Sequence, residues 1–446
     1  MIREFLVSKT AQAFSESGKL IKTWPVVPED AEGREFVREL ESDSRNGPCA
    51  LLEHERVWFR SFAYEWPPEM LYAAARLTVD VAASALKEGF SLKDATPFNV
   101  LFRGPKPVFV DVLSFEKRDP NDSRWLPYAQ FVRTLVLPLL SAKQLSTRGD
   151  EIFLSSAEGL KPEDLYCRLT WFQRMRPPFL STVSLPTWLA KRVDPDDKKL
   201  YAPDHSGSPE KANFVLEIRF RQARKLLETV KPHEERTSAW SSYPKEFSYS
   251  SQEFDSKSEL VRKWVADAKA QTVLDVGCNT GHFSEIAARG GAKVVAIDLD
   301  PVVVGQTWCR ANAADLDILP LVVNLARPTP AMGWRNSEYP SFLDRAAGSF
   351  DMVLMLAVLH HLLVTERIPL REILEVCAEL TTGYLVIEYV SKDDRLFQRL
   401  TRGRESLHAD FSQEGFEGAC QEHFMLMEKH PLKDTRWLYL LKRRRS

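Results

Sequence analysis

The run Val273-Leu274-Asp275-Val276-Gly277-Cys278-Asn279-Thr280-Gly281-His282-Phe283-Ser284 constrains this chain more than any other stretch. An apolar strand runs into a turn bearing two glycines and straight out into a helix, the opening move of a β–α–β unit. Gly277 lets the chain turn sharply and lets a ligand approach the backbone where a Cβ would intrude. Gly281 lets the helix start against the strand and the ligand, and that helix begins with N–H groups that have no partner within it. About 23 residues after Asp275, Asp298 ends the apolar run Val294-Val295-Ala296-Ile297. An acid at the tip of a second strand is placed to hold ribose hydroxyls.

Strands and helices alternate through the second half, which predicts a parallel sheet with helices on its faces. The pattern reads as helix over 256–268, strand over 272–276, helix over 282–289, strand over 293–297 and helix over 301–313. It continues as a strand near 321–324, a strand over 350–356, a helix over 368–380 and a strand over 384–390. Two last strands, 424–428 and 437–441, flank the turn His430-Pro431-Leu432-Lys433-Asp434.

The turn's spacing discriminates between ligands. A dinucleotide site needs Gly-x-Gly-x-x-Gly so that a pyrophosphate can sit on the helix. Here the spacing is Gly-x-x-x-Gly with an acid two residues earlier, which suits a cationic amino-acid group better than a phosphate. The stretch resembles the first motif of class I S-adenosylmethionine (SAM)-dependent methyltransferases. The resemblance covers roughly residues 240–446 and implies an α/β, Rossmann-like domain with a mainly parallel, seven-stranded sheet. It implies SAM as cofactor, held by Asp275, Gly277, Cys278, Asn279, Gly281, Asp298 and Leu299. Asn324-Leu325 falls where the family contacts adenine, Leu356 ends the strand beside the cofactor, and Tyr249 stands where an aromatic often closes over it.

Methyl transfer needs a positioned acceptor and sometimes a base to take its proton. His360, nine residues after Asp351, and Glu388, at the end of the 384–390 strand, are the candidates. On a regular helix His361 points away from His360, which also argues against a His-His metal site. No metal is expected. Arg399, Arg402 and Arg404 are either a site for an anionic acceptor or a solvated face.

The first half is less regular. Leu51 to Phe62 alternates like a strand, and Pro67 to Lys87 reads as a helix with Leu71, Ala75, Leu77, Val81 and Ala85 along it. Phe214, Ile218, Ala223 and Leu226 are spaced to line one face of a helix over 213–230. Asp94, Asn99 and Asp111, in Asp-x-x-x-x-Asn followed by a strand pair and a second Asp, resemble the catalytic loop of kinase-like phosphotransferases. Leu92 replaces the family's His, Val112-Leu113 replaces its Phe-Gly, and no Gly-rich loop is found. Polar stretches at 193–210 and 231–242 place a boundary near 235. An α+β domain over 1–235 for substrate recognition or dimerisation then precedes a methyltransferase domain over 236–446. The pairing of this N-terminal segment with Leu359-His360-His361-Leu362-Leu363 and Phe397-Gln398-Arg399-Leu400 resembles the bacterial two-part, NoeA-like nodulation-type methyltransferases.

Composition bounds the partners. With 446 residues, 60 Lys and Arg against 62 Asp and Glu, the net charge of −2 makes no average case for nucleic acid or an anionic membrane. Six scattered cysteines without a Cys-x-x-Cys pair fit a reducing cytoplasm. No apolar run approaches the ~20 residues of a membrane span. The expectation is a cytoplasmic enzyme that methylates oxygen or nitrogen of a small-molecule or glycan-type acceptor. The alternatives are a phosphotransferase centred on Asp94, Asn99 and Asp111, or a non-catalytic SAM-binding module.

Overall fold

The computed structural model describes residues 1–26, 33–35, 37–38, 51–190, 208–233, 237–238 and 250–444. Two compact units result. The first comprises Met1–Ala63, Leu71–Phe102 and Lys106–Pro232; the second comprises Tyr64–Met70, Arg103–Pro105 and His233–Ser446.

The first unit is built from short strand pairs and helices. Strand β1 (Thr23–Val26) runs antiparallel to β2 (Leu51–His54), and β3 (Phe90–Leu92) antiparallel to β6 (Phe115–Lys117). Between the latter two, β4 (Val100–Arg103) pairs with β5 (Lys106–Phe109). Such small sheets cannot bury a core alone, and aromatic side chains supply it. Phe5 stacks on Phe115 at 3.7 Å, and Phe90 and Phe109 meet that pair edge-on. Helix α1 (Pro68–Leu86) buries Leu71, Ala75, Leu77, Val81 and Ala85, as the periodicity predicts.

Two expectations for this unit fail. The alternating stretch 51–62 is a strand only as far as His54: Glu55 N still donates to Lys22 O, but the chain before Lys22 turns to Phe109, with Ile21 N donating to Phe109 O at 2.9 Å. Helix α2 (Pro209–Val230) buries Ala212, Leu216, Phe220, Ala223, Leu227 and Val230, while Phe214 is 62% exposed. Two apolar stripes compete on this helix, and Phe220 settles the choice by packing against Trp125 at 4.8 Å.

The second unit is a seven-stranded sheet in the order β12-β13-β11-β10-β7-β8-β9. Its strands are β7 (Thr272–Val276), β8 (Lys293–Asp298), β9 (Ile318–Val322), β10 (Phe350–Met355), β11 (Thr381–Val390), β12 (Phe424–Lys433) and β13 (Arg436–Arg443). The first five are mutually parallel, and β13 inserts antiparallel between β11 and β12. The parallel strands are covered on both faces, which is why they read as continuous apolar runs. Helix α3 (Ser251–Asp267), opened by a capping box between Ser250 and Glu253, lays Val261, Trp264 and Val265 on the sheet. Helices α4 (His282–Arg289), α5 (Pro301–Ala313) and α6 (Leu370–Leu380) complete the cover. The fold is a Rossmann-like one with a reversed last strand, in keeping with what the resemblance implied. Every parallel strand therefore points its C-terminal end the same way, and the crevice beyond those ends is the place for a ligand.

Phe220→Ala should lower unfolding free energy by about 3–5 kcal/mol, and Phe214→Ala by no more than about 0.5 kcal/mol. Urea unfolding of the two variants checks which stripe of α2 faces inward.

Candidate functional site

The turn after β7 is pinned by its neighbours. Gly277 N and Cys278 N both donate to Ile297 O, at 2.8 and 3.0 Å. Gly277 adopts φ +70°, and a Cβ there would stand 2.3 Å from Val358 Cγ2. Gly281 adopts φ +80°, and its Cβ would meet Thr307 Cγ2 at 2.6 Å. The two glycines thus make room for Val358 and Thr307, where ligand clearance was the reading from sequence. Asp298 holds the loop from β8: one carboxylate oxygen accepts from Asn279 N at 3.0 Å and the other from Asp300 N at 3.0 Å.

This turn is one wall of a cavity of about 440 Å³ beyond the strand ends, a size suited to a nucleoside-sized ligand. Asp275, Gly277, Cys278, Asn279, Asp298, Leu299, Asn324, Leu325 and Leu356 all line it. Gly281 lies just behind the lining, and Tyr249 falls outside the described residues. The aromatic residues at this mouth are Phe254 and Phe283.

Electrostatics give the cavity a sign. Asp275 is 2% exposed, and burial raises its carboxyl to about 6; the Ser284 hydroxyl, donating at 2.6 Å, opposes the rise and the nearby Asp298 adds to it. Burial likewise pushes Asp298 to about 6, against the two N–H groups that favour its charge. Buried Asp275 and partly exposed Asp298, neither in an ion pair among the described residues, fit a positively charged guest. Asn324 Oδ1 accepts from Ala326 N at 2.9 Å, so the group it offers most freely is its amide NH₂.

Neither catalytic candidate faces this space. His360 is 1% exposed and does not line the cavity, whereas His361 and His282 do. The reason is local. His361 N and Leu362 N both return to Val358 O, and a π turn from His361 to Thr365 sends Glu366 N to His361 O. The two neighbours differ in facing, as the sequence reading expected; what the structure corrects is which of them lines the cavity. Ala357, just before it, takes φ +58°, a strained conformation for a non-glycine residue at the rim of a site. Burial, with Arg436 beside it, lowers the His361 pKa to about 4, so its ring is neutral.

Glu388 is fully buried and paired. Lys257 Nζ donates to it at 2.6 Å and Arg436 at 3.3 Å, while Arg436 also donates to Asp394 at 2.9 and 3.1 Å. A carboxylate engaged this way cannot serve as the base, and the sequence reading is corrected on this point. Lys257, which sequence reasoning missed, does line the cavity. Its signal was present: it occupies the inward stripe of α3 with Val261, Trp264 and Val265. Arg399, Arg402 and Arg404 are exposed and do not line the cavity.

In the first unit Asp94 is exposed. Asn99 Nδ2 donates to Ser114 Oγ at 3.1 Å, and Ser114 Oγ donates to Asp111. The serine hydroxyl fills the place between Asn99 and Asp111 that a shared cation would need.

A family of methyltransferase domains matches residues 218–434. The chain is 28% identical to nodulation protein NoeA of Rhizobium meliloti over 398 residues, covering 88% of this chain and 82% of that protein. A tRNA U34 carboxymethyltransferase of Shewanella loihica is 30% identical over 145 residues, 31% of this chain and 37% of its own length. Among solved structures, N-methyltransferase NodS of Bradyrhizobium japonicum aligns with 43% of this chain and 97% of its own, at 13% identity and a TM-score of 0.31.

Glu388→Gln should destabilise the second unit by about 3–5 kcal/mol, because it strands Lys257 and half of Arg436 in a dry interior. Thermal unfolding measures this; an unchanged melting temperature would show that the pairing is not needed for stability.

Proposed function

The C-terminal half of this chain is a SAM-dependent methyltransferase domain, and from that premise we propose that the protein methylates oxygen or nitrogen of a small-molecule or glycan-type acceptor without a metal. The observation that carries the reading is the pair of acids, buried Asp275 and partly exposed Asp298, lining the cavity at a glycine turn beyond the parallel strand ends.

Asp298 would hold the ribose hydroxyls, Asp275 and the turn residues Gly277 to Asn279 the amino-acid end, and Asn324 and Leu325 the adenine. Bound there, SAM supplies a methyl group activated on a sulfonium sulfur. The protein's part is to orient the acceptor and receive its proton. His361 takes the role first assigned to His360: it lines the cavity where His360 does not, and the other lining histidine, His282, has its Nε2 engaged with the Ser258 hydroxyl at 2.9 Å. A hydroxyl oxygen becomes strongly acidic as its bond to carbon forms, so a neutral imidazole with a pKa near 4 can still accept its proton. An amine that arrives deprotonated needs the same residue only for orientation. Lys257, on the cavity wall, gives the acceptor side a cation whose position Glu388 fixes.

The acids make the cofactor step pH-dependent. Their folded pKa values lie above the ordinary carboxylate value, so ionising them costs the cofactor-free domain stability. That domain should gain stability as pH falls through about 6, and the gain should be complete near the ordinary aspartate value of about 4. SAM affinity should change the opposite way, weakening as the carboxylates take up protons. Asp298→Ala should weaken SAM about 10- to 150-fold and flatten much of that pH dependence. Calorimetry at pH 5 to 8 tests both, and an unchanged dissociation constant would remove Asp298 from the site.

On a hydroxyl acceptor, His361→Ala should lower turnover by roughly 10²–10⁴-fold and leave SAM affinity nearly unchanged. Near-normal turnover in this variant would leave the cofactor site standing and dismiss the base.

A further inference from the structure

In the first unit, four short helical segments pack on one another: Pro162–Arg168, Trp171–Arg174, Leu180–Ser184 and Leu185–Ala190. Their inner side is closed by Leu165, Leu169, Phe179 and Val183, all buried. Tyr166 locks the arrangement. Its hydroxyl accepts from Trp188 Nε1 at 3.2 Å, and the Arg174 guanidinium lies 4.0 Å above its ring.

The outer side is unusual for a surface in water. Trp171 and Phe172 are 67% and 69% exposed, and Met175, Leu185 and Leu189 are exposed as well. Trp171 and Phe172 touch each other edge to face at 5.2 Å, so they form one preformed protrusion. Clustered exposed apolar groups of this kind mark an interaction surface.

Charge indicates the partner. The chain carries 62 Asp and Glu, yet none stands between Asp164 and Asp194, where Arg168, Arg174, Arg176, Lys191 and Arg192 all occur. Arg168 and Arg176 are exposed on the described part of this stretch. Lys161 and Arg168 also line a cavity of about 540 Å³ with Ser155, Ser156 and Asp164. An average net charge of −2 conceals this local excess of cations. The acids of the arm, Glu163 and Asp164, open its first segment, and beyond them exposed tryptophan and phenylalanine are flanked by arginine alone, the composition that settles at a bilayer interface. Among the described residues no helix is long and apolar enough to cross a membrane, so the contact would be with the surface.

We propose that this arm docks the protein on an anionic phospholipid bilayer, with Trp171 and Phe172 entering the interface and Arg168 and Arg176 facing the phosphates. The proposal is independent of the acceptor's identity.

The test is flotation of the full-length chain with vesicles of phosphatidylcholine alone, or of equal parts phosphatidylcholine and phosphatidylglycerol. The wild type should float with the anionic vesicles only, and less at high salt. The double variants Trp171→Ser/Phe172→Ser and Arg168→Ser/Arg176→Ser should each lose about tenfold or more in partitioning. Far-UV circular dichroism and urea unfolding, which report on the first unit as well, confirm that the variants are folded, and calorimetry with SAM should be unchanged because none of these residues lines the cofactor cavity. Three outcomes would overturn the proposal: no partitioning of the wild type, undiminished partitioning of both variants, or gel filtration showing a wild-type dimer that Trp171→Ser/Phe172→Ser converts to a monomer. The last would assign the patch to self-association.

Discussion

Four charges buried at one end of the sheet hold the second unit in its working form. Glu388 on β11, Arg436 on β13, Asp394 in the turn after β11 and Lys257 on α3 are each at most 2% exposed. Removing them from water singly would cost several kcal/mol apiece. They are tolerable because two acids meet two bases, with Thr435 Oγ1 adding a further hydrogen bond to Asp394. Burial alone would raise Asp394, yet the hydrogen bonds and charge of Arg436 hold it at about 2. That network joins the last parallel strand to the antiparallel one and fastens α3 across the strand ends. The cavity wall containing Lys257 and Phe254 inherits its position from this arrangement. A lone lysine there would have to shed its proton or leave.

Much of this unit was legible before the structure, and the reason is physical. Parallel strands buried on both faces must be apolar throughout, so Val294 to Ile297 and Met352 to Met355 announce themselves. The turn at Gly277 and Gly281 needs backbone that only glycine adopts easily, and the acid at 298 must stand at a strand tip. What stayed hidden depends on partners far away in sequence. Glu388 looks free until Lys257, 131 residues earlier, is seen to donate to it. Which of His360 and His361 lines the cavity depends on how the chain turns out of β10 through Ala357, at φ +58°, into a π turn, and such a path has no compositional signature. Lys257 was visible as a misplaced charge in an apolar stripe, but only a contact list says what it meets.

The first unit was harder to read for a different reason. Its strands are three or four residues long, too short for periodicity to register. Its core rests on aromatic pairs such as Phe5 with Phe115, which are 110 residues apart in the sequence. The loop that resembles a phosphotransferase keeps the right residue types at 94, 99 and 111, but Ser114 ties two of them together. A sequence pattern lists side chains; it does not say which of them have already been used by a neighbour.

The two raised acids have a bearing on how the enzyme completes a cycle. Loss of the methyl group turns a positively charged sulfur into a neutral one. A pocket lined by Asp275 and Asp298 is therefore matched to the charge of the incoming cofactor and mismatched, by one unit, to the spent form. Burial screens Asp275 from salt, so that preference persists at cellular ionic strength. On the proposed reading of the cofactor site, methyl transfer would loosen the grip on the leaving nucleoside, and clearance and reloading would be biased in the forward direction by the same two acids.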